Sequence, residues 1–364
     1  MTDSLFGASL LAPLYLDREM VHAMSDEVLV RHMIDVEVRL GVAQANIGLI
    51  PREAAEEIER KARDWTPAVT ALQAATEGNG VPVAGLAREL RSQVGGSAAG
   101  WVHWGATSQD ILDTARGLQL RAALDLIENG IRDLGSSLAS QAVKHRSTVM
   151  TGRTLGQAAM PTTFGYKAAS WLASLVENLD RLDDLRARLL VVQLGGAVGT
   201  LAAFGEHGPA VEADLARQLD LKVPPCPWHT RREAVAELAG WLSLLTGGLG
   251  KMGQDVILLA QSEIGELVEF NDPARGASST MPHKHNPVVS PRLVVAARQN
   301  AALLSSVHHA LLQEHERGTH GWHLEQLTLS PMLQYAAGAL RNAATLIEGL
   351  VVRKDRMARN VTAT

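Results

Sequence analysis

Residues 120–142, LRAALDLIENGIRDLGSSLASQA, decide the fold class of this chain. Apolar side chains recur there every three or four positions, at Leu120, Leu124, Ile127, Ile131, Leu134, Leu138 and Ala142. This spacing places them along one face of an α-helix, whereas a half-buried strand would alternate apolar and polar residues. Because a long helix must bury such a stripe against other helices, the stretch predicts a helix bundle.

The same pattern and the composition extend this prediction to the rest of the chain. Residues 26–48 and 172–189 carry similar apolar stripes, and a second helix is expected to begin at Pro51. The 364 residues include 52 Ala and 51 Leu, whereas aromatic residues make up only 4%. Ala and Leu favour helices, while sheets are rich in β-branched and aromatic residues. We therefore predict an all-α protein built as a long-helix bundle.

Turn-forming residues predict three parts. Glycines in 78–80 and 95–97 separate an N-terminal helical domain, residues 1–100, from a central helical bundle, residues 101–346. A short C-terminal segment, residues 347–364, follows. Within the bundle, residues 272–291 form an irregular stretch rich in Gly, Ser and Pro.

Charge and cysteine content exclude several classes of protein. The formal charge of −5 argues against nonspecific binding of nucleic acid or anionic membranes, both of which need a basic excess. A single cysteine, Cys226, excludes a disulfide framework. The longest apolar run, 189–204, is interrupted by polar residues and glycines, and acidic Asp3 stands where a signal peptide would carry a cation. Without a signal-peptide pattern or a membrane span, we expect a cytoplasmic protein. Since the 13 histidines show no metal-ligand spacing, we also expect that it holds no metal.

The strongest chemical signal is residues 275–288, RGASSTMPHKHNPV. Between positions 273 and 313 there is no acidic residue, but there are four cationic ones: Arg275, Lys284, Arg292 and Arg298. A positive patch with hydroxyls and a nearby helix N-terminus suits a small polyanion such as a di- or tricarboxylate. A plain solvated surface loop is the alternative, which the two X-Pro pairs within the stretch disfavour.

Two further segments carry polar groups suited to binding carboxylates. In 103–110, HWGATSQD, Thr107 and Ser108 precede a helix expected to start near Asp110, so hydroxyls and free N–H groups can converge on a carboxylate. Plain helix capping is the alternative there. In 151–161, TGRTLGQAAMP, Thr154 and Gln157 lie three apart and are expected to share a helical face.

Together the three segments resemble the fumarase/aspartase superfamily, which includes argininosuccinate and adenylosuccinate lyases. GASSTMPHKHNP at 276–287 matches the superfamily's signature loop, GSSxMPxKxNP, with Ala277 as the departure. The resemblance implies that Ser278 is the catalytic base on a mobile lid, and His285 is a second candidate for handling the proton. The residues expected to bind substrate are Lys284, Asn286, Thr107, Ser108, His103, Thr154, Gln157 and Arg317.

One position favours a particular branch of the superfamily. Lyases that release an amine carry THxQ, with His as general acid, but this chain reads Thr154-Leu155-Gly156-Gln157. An amine or hydroxide leaving group needs a proton donor, whereas a carboxylate leaves unaided. Leu155 therefore favours the lactonising branch, which cyclises 3-carboxy-cis,cis-muconate to 4-carboxymuconolactone in the protocatechuate branch of aromatic catabolism. Residues 78–82, 228–233 and 313–317 also resemble that branch, the last together with Trp322 and Glu325.

The resemblance further implies a homotetramer whose sites combine motif regions from different subunits, with no metal or organic cofactor. The superfamily usually continues into a full C-terminal helical domain, which is expected to be reduced here. Two alternatives remain. A lyase of the adenylosuccinate or argininosuccinate type would release fumarate, and Leu155 disfavours it. A non-catalytic helical scaffold is disfavoured by the intact set of Ser278, Lys284 and Asn286.

Overall fold

The computed structural model describes residues 10–270, 272, 275–278, 280–281 and 284–362. Helices dominate this part of the chain, and six of them have 21 residues or more. The α-helices are α1 (Ala12–Tyr15), α2 (Arg18–Ala23), α3 (Asp26–Asn46), α4 (Arg52–Ala62), α5 (Val69–Asn79), α6 (Val83–Val94), α7 (Ser108–Lys144), α8 (Phe164–Leu189), α9 (Gly208–Leu219), α10 (Glu233–Leu259), α11 (Ser290–Ala310), α12 (Gly321–Gly349) and α13 (Lys354–Thr362). Short 3₁₀ helices span Ser97–Trp101 and Ala202–His207.

Helix ends follow the local sequence signals. Ser25 caps α3, since its Oγ accepts a hydrogen bond from the Val28 N–H at 3.3 Å. Pro51 precedes α4, as expected. Gly80 ends α5 with a φ of 75°, a conformation that suits glycine because it has no Cβ. The all-α prediction is confirmed, and the stripe that begins at Leu120 lies buried along α7.

The long helices α7, α8, α10, α11 and α12 share one hydrophobic core. Three of them, α7, α10 and α12, begin at the same end of the bundle, because Arg232 just before α10 binds Asp113 of α7 and Glu325 of α12. We call this the cap end; it comprises residues 101–113, 228–233 and 313–325. The opposite end, residues 145–165, 255–290 and 350–362, is the loop end.

A second core lies beside the cap end. It joins the N-terminal helices α3, α4 and α6 to α9 and to the first turns of α7, through buried residues such as Met33, Ile58, Leu86, Ile111 and Leu215. The N-terminal helices therefore bury their apolar faces partly against later segments of the chain. The three domain boundaries remain a prediction.

The expectation that Thr154 and Gln157 share a helical face is wrong. They close a β-hairpin formed by antiparallel strands β1 (Val149–Thr154) and β2 (Gln157–Thr163). The two residues between them, Leu155 and Gly156, have φ values of 50° and 77°. Two consecutive positive φ values define the tight hairpin turn that matches the twist of the flanking strands, so the three-residue spacing reflects a turn.

The segment after α12 is tied to the segment before the signature loop. Strands β3 (Leu267–Val268) and β4 (Val351–Val352) pair antiparallel. From α13, Arg356 Nε donates to the Ile264 carbonyl at 2.9 Å, and Asn360 Nδ2 donates to Glu266 Oε1 at 2.8 Å. The chain's last described helix thus supports the loop end. No helix within the described ranges combines the length and apolarity needed to cross a bilayer.

Candidate active site

The signature loop is a hairpin with defined pairing at its base. The Asn286 N–H donates to the Gly276 carbonyl at 2.8 Å, and Ala277 pairs antiparallel with His285. Ser278 directly follows one member of that pair, and Lys284 directly precedes the other. Antiparallel pairing therefore sets Ser278 and Lys284 across the hairpin from each other. The structure thus brings together two of the residues predicted for catalysis and carboxylate binding.

Backbone donors surround the Ser278 hydroxyl. Its Oγ accepts hydrogen bonds from the N–H groups of Met281 at 3.1 Å and Thr280 at 3.3 Å. Hydrogen bonds donated to an oxygen favour its anionic form. The loop backbone therefore surrounds the Ser278 oxygen with two N–H donors, while the role of Ser278 in proton transfer stays a prediction.

Asn286 has a structural partner within its own loop. Its Nδ2 donates to the Gly276 carbonyl at 3.1 Å, the same oxygen that accepts from the Asn286 backbone. Asn286 therefore secures the hairpin, whereas the sequence predicted that it binds substrate. Its predicted role in binding a substrate carboxylate stays a prediction.

A cavity of about 740 Å³ lies against the loop. Its described lining includes the cationic side chains of Arg275, Lys284 and Arg353, together with the exposed His285. Glu269 is the one acidic residue among the described lining residues. The Arg275 guanidinium stacks 4.5 Å from the centre of the Phe270 ring, which fixes its direction. A cavity with this lining favours anions.

The tip of the β1–β2 hairpin also lies at the loop end, because Arg153 of β1 binds the buried Glu266 at 2.8 Å. Thr154 and Gln157 are exposed, and Leu155 is fully exposed at 102%. Within the described part of the chain, the hairpin tip therefore projects into solvent. The side chains of Thr154 and Gln157, which were predicted to offer neutral hydrogen bonds, are accessible to a second molecule.

Thr107, Ser108, His103 and Arg317 lie at the cap end. Thr107 precedes the first turn of α7; its N–H donates to Asp110 Oδ2 at 2.9 Å, and its hydroxyl accepts a hydrogen bond from Arg317 Nη1. Arg317 comes from the connection between α11 and α12, 210 residues further along the chain. The helix N-terminus and a guanidinium therefore converge, as a carboxylate site requires. The capping alternative is correct, since Asp110 caps the helix, and carboxylate binding by Thr107 and Ser108 stays a prediction.

His103 is held by a buried carboxylate. Its Nδ1 lies 2.6 Å from Glu37 Oε1, and Glu37 is almost fully buried on α3. Burial alone would lower the pKa of His103, but the charge and hydrogen bond of Glu37 outweigh it and raise the pKa above its ordinary value. His103 is thereby favoured as an imidazolium near Thr107. The sequence did not predict Glu37, although an acidic residue inside the apolar stripe of α3 was the available signal.

Beneath the cap end lies a buried charge network that the sequence did not predict. Arg232, only 3% exposed, donates to Asp113 Oδ2 at 2.7 Å and to Glu325 Oε2 at 2.8 Å. Trp322 Nε1 donates to Asp113 Oδ1 at 2.9 Å. Burial would lower the pKa of Arg232, but the two carboxylates raise it further above its ordinary value. The network ties together the first turns of α7, α10 and α12, which position Thr107 and Arg317.

Asp110 anchors a second buried contact there. Its carboxylate accepts from the N–H groups of Gly195 and Gly196, at 3.0 and 2.9 Å, and lies 2.7 Å from His229 Nε2. Nearby Glu212 is buried, and burial together with the charge of Asp110 raises the pKa of Glu212 to about 7. The glycine-rich segment at 195–196 therefore binds the start of α7.

The predicted site residues thus fall into two groups that one chain keeps apart. Ser278, Lys284, His285, Asn286 and the hairpin tip lie at the loop end. Thr107, Ser108, His103 and Arg317 lie at the cap end. The two ends are separated by α10, whose 27 residues span about 40 Å at 1.5 Å per residue. No small substrate reaches both groups of a single chain.

Comparisons with known proteins agree with this architecture. A lyase family model matches residues 16–299. The chain is 41% identical to 3-carboxy-cis,cis-muconate cycloisomerase of Acinetobacter baylyi, over 98% of this chain and 80% of the relative. The chain belongs to the fumarase/aspartase superfamily.

A further relative and a solved structure also carry names that refer to 3-carboxy-cis,cis-muconate. A 3-carboxy-cis,cis-muconate cycloisomerase of Pseudomonas aeruginosa is 45% identical over 93% of this chain and 75% of the relative. The crystal structure of 3-carboxy-cis,cis-muconate lactonizing enzyme from Pseudomonas putida matches with a TM-score of 0.91 and 42% identity. That match covers 97% of this chain and 79% of that enzyme. The superfamily prediction is confirmed.

The expectation that the protein holds no metal came from the histidine spacing, the single cysteine and the superfamily resemblance, and it stays a prediction. Within the described residues, no group of three or more His, Cys, Asp or Glu side chains is arranged to hold a metal ion.

Proposed function

We propose that this chain is a cycloisomerase that lactonises 3-carboxy-cis,cis-muconate to 4-carboxymuconolactone. The observation that carries the proposal is 41–45% identity to 3-carboxy-cis,cis-muconate cycloisomerases over nearly the whole chain. The Ser278–Lys284 hairpin and Leu155 support it. Leu155 supplies no proton donor, and a lactone needs none on its carboxylate oxygen.

In the proposed reaction, one carboxylate oxygen of the muconate adds to a carbon of a conjugated double bond, and a five-membered lactone forms. The electron pair of that double bond moves toward a neighbouring carboxylate, which becomes enolate-like. The carbon next to that carboxylate then gains one proton. Written as free acids, the product is an isomer of the substrate. Written as anions, the muconate trianion takes up one proton, ultimately from water, and becomes the lactone dianion, so the step needs no oxidant, metal or organic cofactor.

The charge that develops on the enolate-like carboxylate requires fixed donors. At the loop end Lys284 supplies a cation, and at the cap end Arg317 and the Thr107–Ser108 helix start supply hydrogen-bond donors. We assign the proton transfer to Ser278, whose Oγ accepts from the Met281 and Thr280 N–H groups. These two donors stabilise the alkoxide that remains after Ser278 gives up its proton. His285, exposed on the same hairpin, is the second candidate.

We further propose that the complete site forms between subunits of a homotetramer. The separation of the two groups by the length of α10 supports this, because a cap end must meet the loop end of another copy. Exposed apolar side chains on the β1–β2 hairpin, Leu155 and Met160, and along α10, Leu244 and Leu258, supply surface for such contacts. We place the enzyme in the cytoplasm, since a chain with one cysteine has no internal disulfide that an oxidising compartment would maintain.

The proposal is tested by following the ultraviolet absorbance of 3-carboxy-cis,cis-muconate with purified protein. We expect its conjugated absorbance to disappear as the lactone forms, and no fumarate from adenylosuccinate or argininosuccinate. Fumarate release with 3-carboxymuconate left intact would instead assign the chain to the amine-releasing lyases. Absence of turnover on all three polycarboxylates would favour the non-catalytic scaffold.

A further inference from the structure

The base of the signature loop is held by a single buried carboxylate. Glu269, 4% exposed, ends the segment that leads into the loop. Its oxygens accept hydrogen bonds from the N–H groups of Val288 at 2.7 Å, Val289 at 2.9 Å and Ser290 at 2.6 Å, and from the Ser290 hydroxyl at 2.5 Å. These three residues end the loop and begin α11. One side chain therefore joins the two ends of an 18-residue segment, residues 270–287.

The chemistry of α11 explains why a carboxylate stands there. The first N–H groups of a helix have no partner within the helix, and the helix dipole favours a negative charge at that end. Pro291 at the start of α11 has no N–H to contribute. Val289 and Ser290 are buried, so water does not satisfy their donors. Glu269 fulfils this requirement while its own backbone fixes where the loop begins.

The loop hairpin continues directly from this contact. Beyond the Glu269 clasp come the Gly276–Asn286 hydrogen bonds and then the Ala277–His285 pair, after which Ser278 and Lys284 face each other. These contacts all depend on the relative position of the two ends of the loop. A shift at the base of the loop therefore displaces Ser278 and Lys284. A displacement of about 1 Å at a catalytic group lowers rates by about a hundredfold.

We propose that Glu269 is a positioning residue for the reaction, clasping the signature loop so that Ser278 and Lys284 are held in register. This inference rests on the proposed function for its kinetic consequence, but the clasp itself is a property of the folded chain. Although Glu269 lines the cavity, its carboxylate oxygens are occupied by the start of α11, so we assign it no hydrogen bond to substrate. It acts through the loop.

The test compares E269Q and E269A with S25A. The S25A variant removes the side-chain cap of α3, outside the proposed site, and so matches the loss of a helix-capping group without touching the loop. Rates are measured at a temperature at which circular dichroism shows every variant folded. We expect kcat to fall about tenfold in E269Q, which retains one acceptor oxygen, and about a hundredfold in E269A, while S25A stays within about twofold.

A second readout does not depend on turnover. Trypsin cleaves after Arg275 and Lys284, both exposed on the loop, and mass spectrometry reports the cleavage rate at each. We expect faster cleavage at both sites in E269Q than in the wild type and S25A. Unchanged cleavage in E269Q would overturn the clasp whether or not the wild type turns over 3-carboxymuconate. Faster cleavage with an unchanged kcat would overturn the positioning role, and a wild type without turnover would contradict the proposed function alone.

Discussion

At the scale of single residues, the proposed proton transfer uses the hydroxyl of Ser278, and a serine hydroxyl is a weak acid in water. Two backbone N–H groups point at the Ser278 oxygen, and Lys284 faces it across the hairpin. We expect S278A to lower kcat by about 10²–10⁴-fold, the usual contribution of a general acid or base. Because the hydroxyl belongs to the loop and not to a core, thermal unfolding should be unchanged.

The matched control for this change is T280A. It removes another hydroxyl from the same loop but keeps the Thr280 N–H that Ser278 accepts. Its kcat should stay close to that of the wild type in the ultraviolet assay. Near-normal turnover of S278A together with loss of turnover in H285A would assign the proton to His285 instead.

The His103–Glu37 pair predicts a pH dependence. A histidine whose folded-state pKa is raised stabilises the folded chain below its ordinary pKa of 6.5, and this contribution is lost as pH rises through the raised value. The groups that act on His103 come from α3 (Glu37), α6 (Arg91) and α7 (Asp110). E37Q should therefore lower the free energy of unfolding more at about pH 6 than at about pH 9.

Chemical denaturation of wild type and E37Q at both pH values measures this difference. E27Q, at an exposed acidic position of the same helix, is the control and should show no such change between the two. An equal loss of stability at both pH values would mean that Glu37 does not hold the charged imidazole. If the imidazolium also binds a substrate carboxylate, kcat/KM of the wild type falls over the pH range in which His103 loses its proton.

At the scale of elements, the turn of the β1–β2 hairpin combines a strained backbone with an exposed apolar side chain, both at Leu155. Leu155 occupies the left-handed region that costs a non-glycine residue about 1–2 kcal/mol, and it does so without burying its side chain. Asn suits the first position of this turn far better.

We expect L155N to keep or raise the free energy of unfolding of the dissociated chain. We also expect about a tenfold loss in kcat/KM, the loss of a buried Leu contact with another subunit. Unchanged kinetics would remove Leu155 from the site.

Prediction from the sequence succeeded for most local signals, with the Thr154–Gln157 turn as an exception, and failed for contacts between distant residues. The stripes of α3, α7 and α8 are readable because their determinants lie within a few residues, and the start of α7, expected near Asp110, lies two residues earlier at Ser108. The Thr154–Gln157 spacing fitted a helix or a turn, and only the positive φ values of Leu155 and Gly156 decide between them.

Pairing between distant residues was out of reach. Arg232 lies 119 residues from Asp113 and 93 from Glu325, and nothing local specifies which charges meet. The Glu269 clasp joins residues only about 20 positions apart. It was still not predictable, because no standard spacing links an acidic residue to a helix start that far downstream. The signature loop itself was predicted from its residues, but the contact that holds its base was not.

At the scale of the whole molecule, the predicted site residues are divided between two ends of the bundle. Each chain carries one loop end and one cap end, and α10 keeps them about 40 Å apart. A closed symmetric assembly can place the cap end of one copy against the loop end of another. Every complete site is then made of parts from different chains, and a stable monomer should be inactive.

Subunit complementation tests this claim most directly. S278A disables the loop end and R317Q the cap end, so each variant alone should be nearly inactive. The two chains, carrying different affinity tags, are co-expressed, and oligomers that contain both are purified. Since each half of a site is intact with a probability of one half, about a quarter of the sites should regain wild-type composition and activity. Mixed oligomers that remain as inactive as either parent would contradict shared sites and place the complete site within one chain.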